Sequence, residues 1–452
     1  MRQHPILLGK VNGRLLSLPG SEHVALHART GSGKGVSFSI PNCFAWPGSL
    51  VVLDIKGEAF RATAGHRKRM GQDVYLFDPA SVTGRSHRWD PFAAVERNSD
   101  ARFRQIARQA NLLFPEVDQV GGGANHNAFW DNAARQAFTA VATVIAETPG
   151  EPLTMENVTQ LFTREDGHEW VSRRIAERRA SYSRIAVNGV SDYVGGDPKL
   201  RADIRKTVSV KLQSWSDPQL AAVTSASDFD LRDLRRKPTT IYVAVAPGNI
   251  PRLRPLLRLF FDATINLNTD ATPEDDPTLK VQTLVLLDEF ARLGRMDTLA
   301  QAAQFVRGYG MRLAFVIQNK AQLRAIYGKD GAADIFDNLG AEIVFGTADP
   351  ELTKELEERL GDSTVMFTTR NRPRFWAWLK PGKQGESDHP HRRPLMLDQE
   401  VARMAAGQQL IIRPGMKPML TDRICWWNDP LFAKRQRSPP VVDQLRIEIA
   451  LA

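Results

Sequence analysis

A glycine-rich run set between a strand and a helix constrains this chain more than any other feature. Residues 24–28, VALHA, read as a strand, and a helix opens at Gly33. Between them runs Ala28-Arg29-Thr30-Gly31-Ser32-Gly33-Lys34-Gly35. Glycines let successive backbone N–H groups curl around phosphate oxygens, and the helix N-terminus adds its dipole. Lys34 then reaches the β- and γ-phosphates as a point charge. Thr30, Gly31, Ser32, Gly33, Lys34, Gly35 and Val36 are therefore the candidate nucleotide-binding residues. Two positions depart from the usual phosphate loop: Ala28 replaces its first glycine, and Gly35 replaces the Ser or Thr whose hydroxyl holds Mg²⁺. Ser37, Thr30 or water are the open alternatives for that missing ligand. A plain glycine-rich turn is the rival reading, and the flanking strand and helix weigh against it.

Around this loop the chain alternates strands and helices. LVVLD (50–54) and DVYLF (73–77) read as buried strands, with an amphipathic helix, EAFRATAGHRKRMG, between them. The rhythm resumes with strands at 239–247, 282–290, 312–318 and 341–346. Strands separated by helices of this length imply a parallel sheet with right-handed crossovers. Residues 93–237 differ. DARFRQIARQANLLF, NAFWDNAARQAFTAVATVIA and KLRADIRKTVSVKLQSW place apolar residues three and four apart, so this stretch reads as a helical insertion, with a glycine-rich loop at 120–124. The first twenty residues read as a short polar approach. Residues 371–394, rich in Arg, Pro, Gly and His, read as a surface hairpin or loop. The expected organisation is a discontinuous α/β unit, 1–92 and 238–432, an all-α insertion, 93–237, and a basic, mobile tail, 433–452.

The second chemical motif is the strand end Asp288-Glu289. An Asp at the end of a neighbouring strand holds Mg²⁺ in nucleotide hydrolases, and a following Glu can polarise the attacking water. Asp54 ends a strand in the same way. It either aids Mg²⁺ or the nucleotide of a neighbouring subunit, or is a structural group, a helix cap or an ion-pair partner of Lys56. Gln318, at the end of strand RLAFVIQ, is placed to sense the γ-phosphate. Arg307, in VRGYG, is the type of residue that stabilises charge on a transferring phosphate, in cis or in trans, with a solvated surface arginine as the alternative.

Lys and Arg outnumber Asp and Glu, 60 to 51, for a net charge of +9. That surplus suits contact with nucleic acid or an anionic membrane face, or simply a basic enzyme. The two cysteines, Cys43 and Cys425, have no partner at metal or redox spacing. The apolar run 35–53 is interrupted by Pro41, Pro47 and Gly48 and is not a membrane span. The N-terminus has no signal-peptide pattern.

With these residues in view, the chain resembles the type IV coupling proteins of the TraG/TraD kind, within the broader FtsK- and HerA-like motor ATPases. The resemblance is carried by EHVALHARTGSGKGVSFSIPN, WPGSLVVLDIKGE, FDPAS, AVTSASDFDLRDLRRKPTTIYVAVAP, LVLLDEFARLG, VRGYGMRLAFVIQNKAQLRAIYG, RRPLMLDQE and NDPLF. It implies an α/β fold with a RecA-like nucleotide-binding domain, a mostly parallel sheet and an inserted all-α domain that engages substrates. It implies ATP and Mg²⁺ as cofactors, with Lys34 as the loop lysine, Asp288 as the metal-holding acid and Glu289 as the acid that positions water. Gln318 becomes the γ-phosphate sensor and Arg307 the arginine given to an adjacent subunit. The implied partners are single- or double-stranded DNA, relaxase or effector proteins, secretion-channel components and other copies of the chain in a hexameric ring. The implied location is the cytoplasmic face of the bacterial inner membrane. The family usually carries N-terminal transmembrane helices, and this chain shows none. Removal of that anchor is the favoured expectation, with a soluble chain as given; peripheral association is the other. Two functional rivals stand beside this reading: a cytosolic FtsK/HerA-like DNA translocase, and a nucleotide-binding receptor that recruits substrates without pumping. A small-molecule kinase is disfavoured, because no acceptor-binding lid signature is present.

Overall fold

Short apolar and β-branched runs bounded by Gly, Asp or Pro supply the strands, and their pairing places the candidate site. The structure, a computed structural model, describes residues 1–115, 126–347, 349–370 and 386–447. It opens with a hairpin, β1 (Ile6–Val11) and β2 (Arg14–Leu18), turned at Asn12 and Gly13 with φ of 50° and 75°. Asn-Gly favours this turn because both central residues need positive φ. The expected polar approach is thus corrected: Ile6, Leu7 and Leu8 are buried sheet residues. Next come β3 (His23–His27), α1 (Ile40–Ala45), β4 (Ser49–Asp54), α2 (Glu58–Arg69) and β5 (Asp73–Phe77).

The helical stretch follows: α3 (Ala101–Leu113), α4 (His126–Glu147), α5 (Met155–Thr163), α6 (Gly167–Arg178), α7 (Arg184–Val194), α8 (Pro198–Leu212) and α9 (Pro218–Val223). The glycine-rich loop expected at 120–124 lies outside the described residues. The α/β pattern then returns as β6 (Thr239–Ala244), α10 (Ile250–Asn266), β7 (Thr283–Leu287), α11 (Asp297–Phe305), β8 (Met311–Ile317), α12 (Lys320–Asp337) and β9 (Leu339–Phe345). After α13 (Pro350–Leu360), β10 (Asp362–Arg370) pairs antiparallel with β11 (Glu386–Pro394). Of the hairpin or loop expected at 371–394, residues 371–385 lie outside the described residues. The chain closes with α14 (Asp398–Ala402), β12 (Gln408–Ile412), β13 (Met419–Asp422) and α15 (Pro430–Ala433).

Eleven strands form one sheet in the order β2-β1-β13-β12-β9-β3-β8-β7-β4-β6-β5. The run from β9 to β5 is parallel, and β12, β13, β1 and β2 extend it antiparallel. The period of two divides each central strand between two cores. Val51, Leu53, Val285 and Leu287 face one layer; Leu50, Val52, Leu284 and Leu286 face the other. The first layer runs on into the helical insertion. Phe77 of β5 stacks on Phe260 of α10 at 5.3 Å, and Trp89 meets the same ring edge-on at 5.1 Å. Arg67 of α2 is fully buried and donates to Thr240 Oγ1 at 2.9 Å and to the Gly48 carbonyl at 2.7 Å, which ties α2 to the sheet without a carboxylate.

The basic C-terminal segment is not the mobile tail the sequence suggested. Residues 433–447 run across α2 and the turn after β5. The carbonyls of Arg437 and Ser438 lie so close to Gly65 that a Cβ there would sit 2.7 and 2.1 Å from them. Arg85 donates to the Val442 carbonyl at 2.7 Å, and Leu445 N donates to Gly84 O at 2.8 Å. Backbone hydrogen bonds and the buried Val442 outweigh the segment's polarity. Residues 448–452 lie outside the described residues. Among the described residues no helix is long and apolar enough to cross a membrane.

Candidate nucleotide site

The loop after β3 is built by two residues that only glycine accommodates easily. Gly31 and Gly33 have φ of 77° and 82°. Ala28 N donates to Ile317 O of β8 at 2.9 Å, so the loop leaves the sheet at the carboxyl end of its parallel strands. Ser32 closes the turn, its N and Oγ donating to Arg29 O at 3.2 and 2.6 Å. Lys34 already has helical angles, and Gly35–Ser39 form a π-helical turn that continues as α1. Gly35 and Val36 belong to that first turn, where backbone N–H groups have no earlier carbonyl to bond. Such a nest of donors suits a phosphate.

The acids reach the loop from two strands away. β8 lies between β3 and β7, so the tips of β3 and β7 do not adjoin as the sequence reading supposed. Lys34 spans the interval. Its Nζ lies 2.7 Å from Glu289 Oε1 and 3.6 Å from Asp288 Oδ1. Glu289 takes φ 57° and ψ 49°, left-handed angles that a non-glycine residue adopts at a cost of roughly 1–3 kcal/mol. That conformation starts the short helical turn at Phe290–Leu293, and Arg292 from the turn pairs with the second carboxylate oxygen. Burial raises the Asp288 carboxyl above its ordinary pKa; Lys34 pulls it back down and Glu289 pushes it up. Asp288 Oδ1 has no hydrogen-bond partner among the described residues. An unsatisfied buried carboxylate oxygen beside a second acid is a donor set suited to a hard divalent cation. The loop glycines, Lys34 and these acids therefore fit Mg²⁺ and a polyphosphate.

Gln318, just past β8, sits between the loop and the acids. Thr30 Oγ1 donates to Gln318 Oε1 at 2.9 Å. A cavity of about 370 Å³ beside it is lined by Glu289, Arg292, Val316, Gln318 and Gln322. Asp54, at the end of β4 next to β7, accepts from Phe60 N at 2.8 Å and so anchors the start of α2. That contact is of the structural kind left open for Asp54, with the Phe60 amide rather than Lys56 as partner. Burial pushes its carboxyl up to about 6, with Asp288 adding to the rise.

Arg307 is not brought to this cluster. It precedes β8, at the amino end of that strand, and its guanidinium pairs with the Asn338 carbonyl. Gln318 is at the opposite end of the same strand. One residue that the sequence reading missed does touch the loop. Arg423, after β13, donates to Ser32 O at 3.0 Å and lies over the Phe345 ring at 3.6 Å. Burial, and then Arg29, lower its guanidinium to about 10. No local pattern in TDRICWW marks it, because its partners lie far away in the chain.

The family model for type IV secretory system conjugative DNA transfer matches residues 3–446. The chain belongs to that family. It is 27% identical over 423 residues to the protein VirD4 of Agrobacterium fabrum, covering 93% of this chain and 61% of that protein. It is 27% identical over 460 residues to the conjugal transfer protein TraG of Escherichia coli, covering 94% of this chain and 71% of that one. The chain thus spans less than two thirds of the VirD4 it matches. Among solved structures, the plasmid coupling protein TrwB with an ATP analogue superposes with a TM-score of 0.65 at 15% identity, covering 93% of both chains. TrwB with ADP and Mg²⁺ gives 0.62 at 17% identity, covering 93% of this chain and 94% of that one. The fold is therefore the RecA-like one of TrwB, with a mostly parallel sheet and helices inserted in it.

Proposed function

We propose that this chain is the nucleotide-driven part of a type IV coupling protein, which hydrolyses ATP to move DNA, with bound relaxase, or effector proteins, into a secretion or conjugation channel. The observation that carries this reading is Lys34 held between Asp288 and Glu289 under a loop of two positive-φ glycines. TrwB has been solved with ADPNP and with ADP and Mg²⁺, which supports the same ligands here. Bound Mg²⁺ supplies a counter-charge for the β- and γ-phosphate oxygens. When a triphosphate enters, Lys34 transfers its ammonium from the carboxylates to the phosphates. Glu289 is then free to orient the attacking water, and Asp288, with its unsatisfied oxygen, would hold the metal. The Thr30–Gln318 hydrogen bond links the loop to the strand between the two motifs, a direct route from γ-phosphate loss to the sheet. Arg307 acts, in this reading, only on the site of a neighbouring copy in a hexameric ring, since its own chain keeps it at the other end of β8. The family description, conjugative DNA transfer, and the net charge of +9 support DNA as cargo. Channel components at the cytoplasmic face of the inner membrane are the remaining partners.

The test is ATP hydrolysis with and without single- and double-stranded DNA. Hydrolysis that DNA stimulates and that Lys34→Ala abolishes is the expected result. ATP binding with no hydrolysis under any DNA condition, by chains shown to be assembled, overturns the motor and leaves a substrate receptor.

A further inference from the structure

The phosphate loop lacks the hydroxyl that normally completes the metal site, since Gly35 stands in its place. The surroundings of Gly35 show what faces that gap. A Cβ built on Gly35 would have one neighbour within 4 Å, Glu58 Oε2 at 3.8 Å. The volume a serine side chain would fill therefore opens onto a carboxylate. Glu58 is the first residue of α2, delivered by Gly57 with φ 65°. The turn that carries it, residues 55–58, joins β4 to α2, and β4 is the strand paired with β7. Lys56 of the same turn is near enough to Asp288 to lower its pKa. Among the described residues, Glu58 has no hydrogen-bond or ion-pair partner. Its carboxylate suits the positive end of α2, yet no side-chain partner holds it among the described residues, and its Oε2 is directed at the start of the loop helix. Ser37, a turn further on, faces Gly33 instead: its Oγ lies 3.9 Å from the Cβ position of Gly33 and is not among the neighbours of Gly35.

We propose that Glu58 takes the place of the missing hydroxyl as the second protein oxygen, with Asp288, that faces the nucleotide's divalent cation. This rests on the nucleotide reading above. The chemistry differs from that of a serine. A carboxylate adds a negative charge, which attracts a hard cation and repels a bare triphosphate. Nucleotide binding by this chain therefore depends more steeply on Mg²⁺ than binding by a loop that carries the hydroxyl.

The test measures binding of a fluorescent, non-hydrolysable ATP analogue to the full 452-residue chain over a range of Mg²⁺ concentrations. Mn²⁺ uptake by electron paramagnetic resonance is the second readout. Glu58→Gln is exposed and isosteric, so the fold survives it. It should raise the half-saturating Mg²⁺ about tenfold, the scale seen when a group supporting a metal site is lost. Binding without metal should be unchanged or tighter. Adding Gly35→Ser to Glu58→Gln should restore the metal dependence, since a Cβ at 3.8 Å is an ordinary contact; adding Gly35→Ala should not. An unchanged Mg²⁺ dependence in Glu58→Gln, or no recovery with serine, overturns the proposal even while Lys34→Ala still loses the nucleotide. If Lys34→Ala binds the analogue as well as the parent does, the nucleotide reading itself fails, and the two failures are told apart.

Discussion

Lys34 Nζ lies 2.7 Å from Glu289 Oε1, so the cation proposed for phosphate is held by the acid proposed for water. Both side chains are nearly buried, at 10% and 7% exposure. Each neutralises the other where water offers little screening. In the proposed mechanism the pair is a resting arrangement, which a triphosphate would separate.

Lys34→Ala should remove nucleotide binding and also destabilise the nucleotide-free protein. Glu289 keeps Arg292, but Asp288 loses its nearest cation. The loss should be about 1–3 kcal/mol, read as a lower urea midpoint with an unchanged slope. A glycine-rich turn without function would lose the same stability but would have no nucleotide binding to lose.

Glu289→Gln keeps the left-handed backbone and an oxygen for Lys34, but it removes the charge that orients water. Turnover should fall by about a hundredfold or more, while affinity for the ATP analogue stays within a few-fold. Turnover within threefold of the parent would move the water-positioning role to another residue.

Gln318→Ala breaks the 2.9 Å bond to Thr30 without touching Lys34 or Asp288. DNA-stimulated turnover should drop about tenfold or more, in line with loss of one positioning contact, with binding little changed. Thr30→Val should share the defect, and the double variant should be no worse than either single one.

What the sequence revealed and what it hid divide along one line. The strands at 50–54 and 312–318 were legible because both faces are buried and their apolar runs are continuous. Lys34, Asp288 and Glu289 were legible because their chemistry is written in consecutive residues. The hairpin β1–β2 and the strands β12 and β13 were not. They are short, and β1 meets β13 through Lys10 and Asp422, across nearly the whole chain. Arg423 was hidden for the same reason, since Phe345 and Ser32 come to it only through the sheet. Arg307 shows what sequence proximity leaves open. Its residue type allows action in cis or in trans, and a seven-residue strand, Met311–Ile317, separates it from Gln318 by about 23 Å, which leaves the reading in trans.

The pH dependence of folding offers a separate check on Asp54. Its folded pKa of about 6 lies above the ordinary 3.8, because burial disfavours the charged form. The acid therefore favours the fold in full below about 3.8, and that contribution is lost as pH rises through about 6, a change of roughly 3 kcal/mol. Asp54→Asn stays neutral and retains an oxygen for Phe60 N. It should be more stable than the parent at pH 8, with the difference vanishing near pH 4. Asp78 and Asp90, also raised, to about 6 and about 7, titrate in both proteins, so the difference between the two stability curves isolates Asp54. A flat difference would mean that water reaches this carboxylate.

The docked C-terminal segment makes the last prediction. Gly65 lies in the middle of α2, where glycine is a poor helix former by about 1 kcal/mol against alanine. In an isolated helix, Gly65→Ala should therefore stabilise. Here the added methyl would sit 2.1 Å from the Ser438 carbonyl and 2.7 Å from that of Arg437, and backbone atoms cannot swing aside as a flexible side chain can. The segment must lift, and Arg85 and Gly84 lose their partners Val442 and Leu445. Gly65→Ala should make the bonds after Lys434, Arg435 and Arg437 cut faster by trypsin, with the rest of the chain resisting as before. Truncation after residue 433 should then cost the parent stability and leave the Gly65→Ala variant unaffected. Equal trypsin sensitivity in parent and variant would return residues 433–447 to the free tail that their composition suggests.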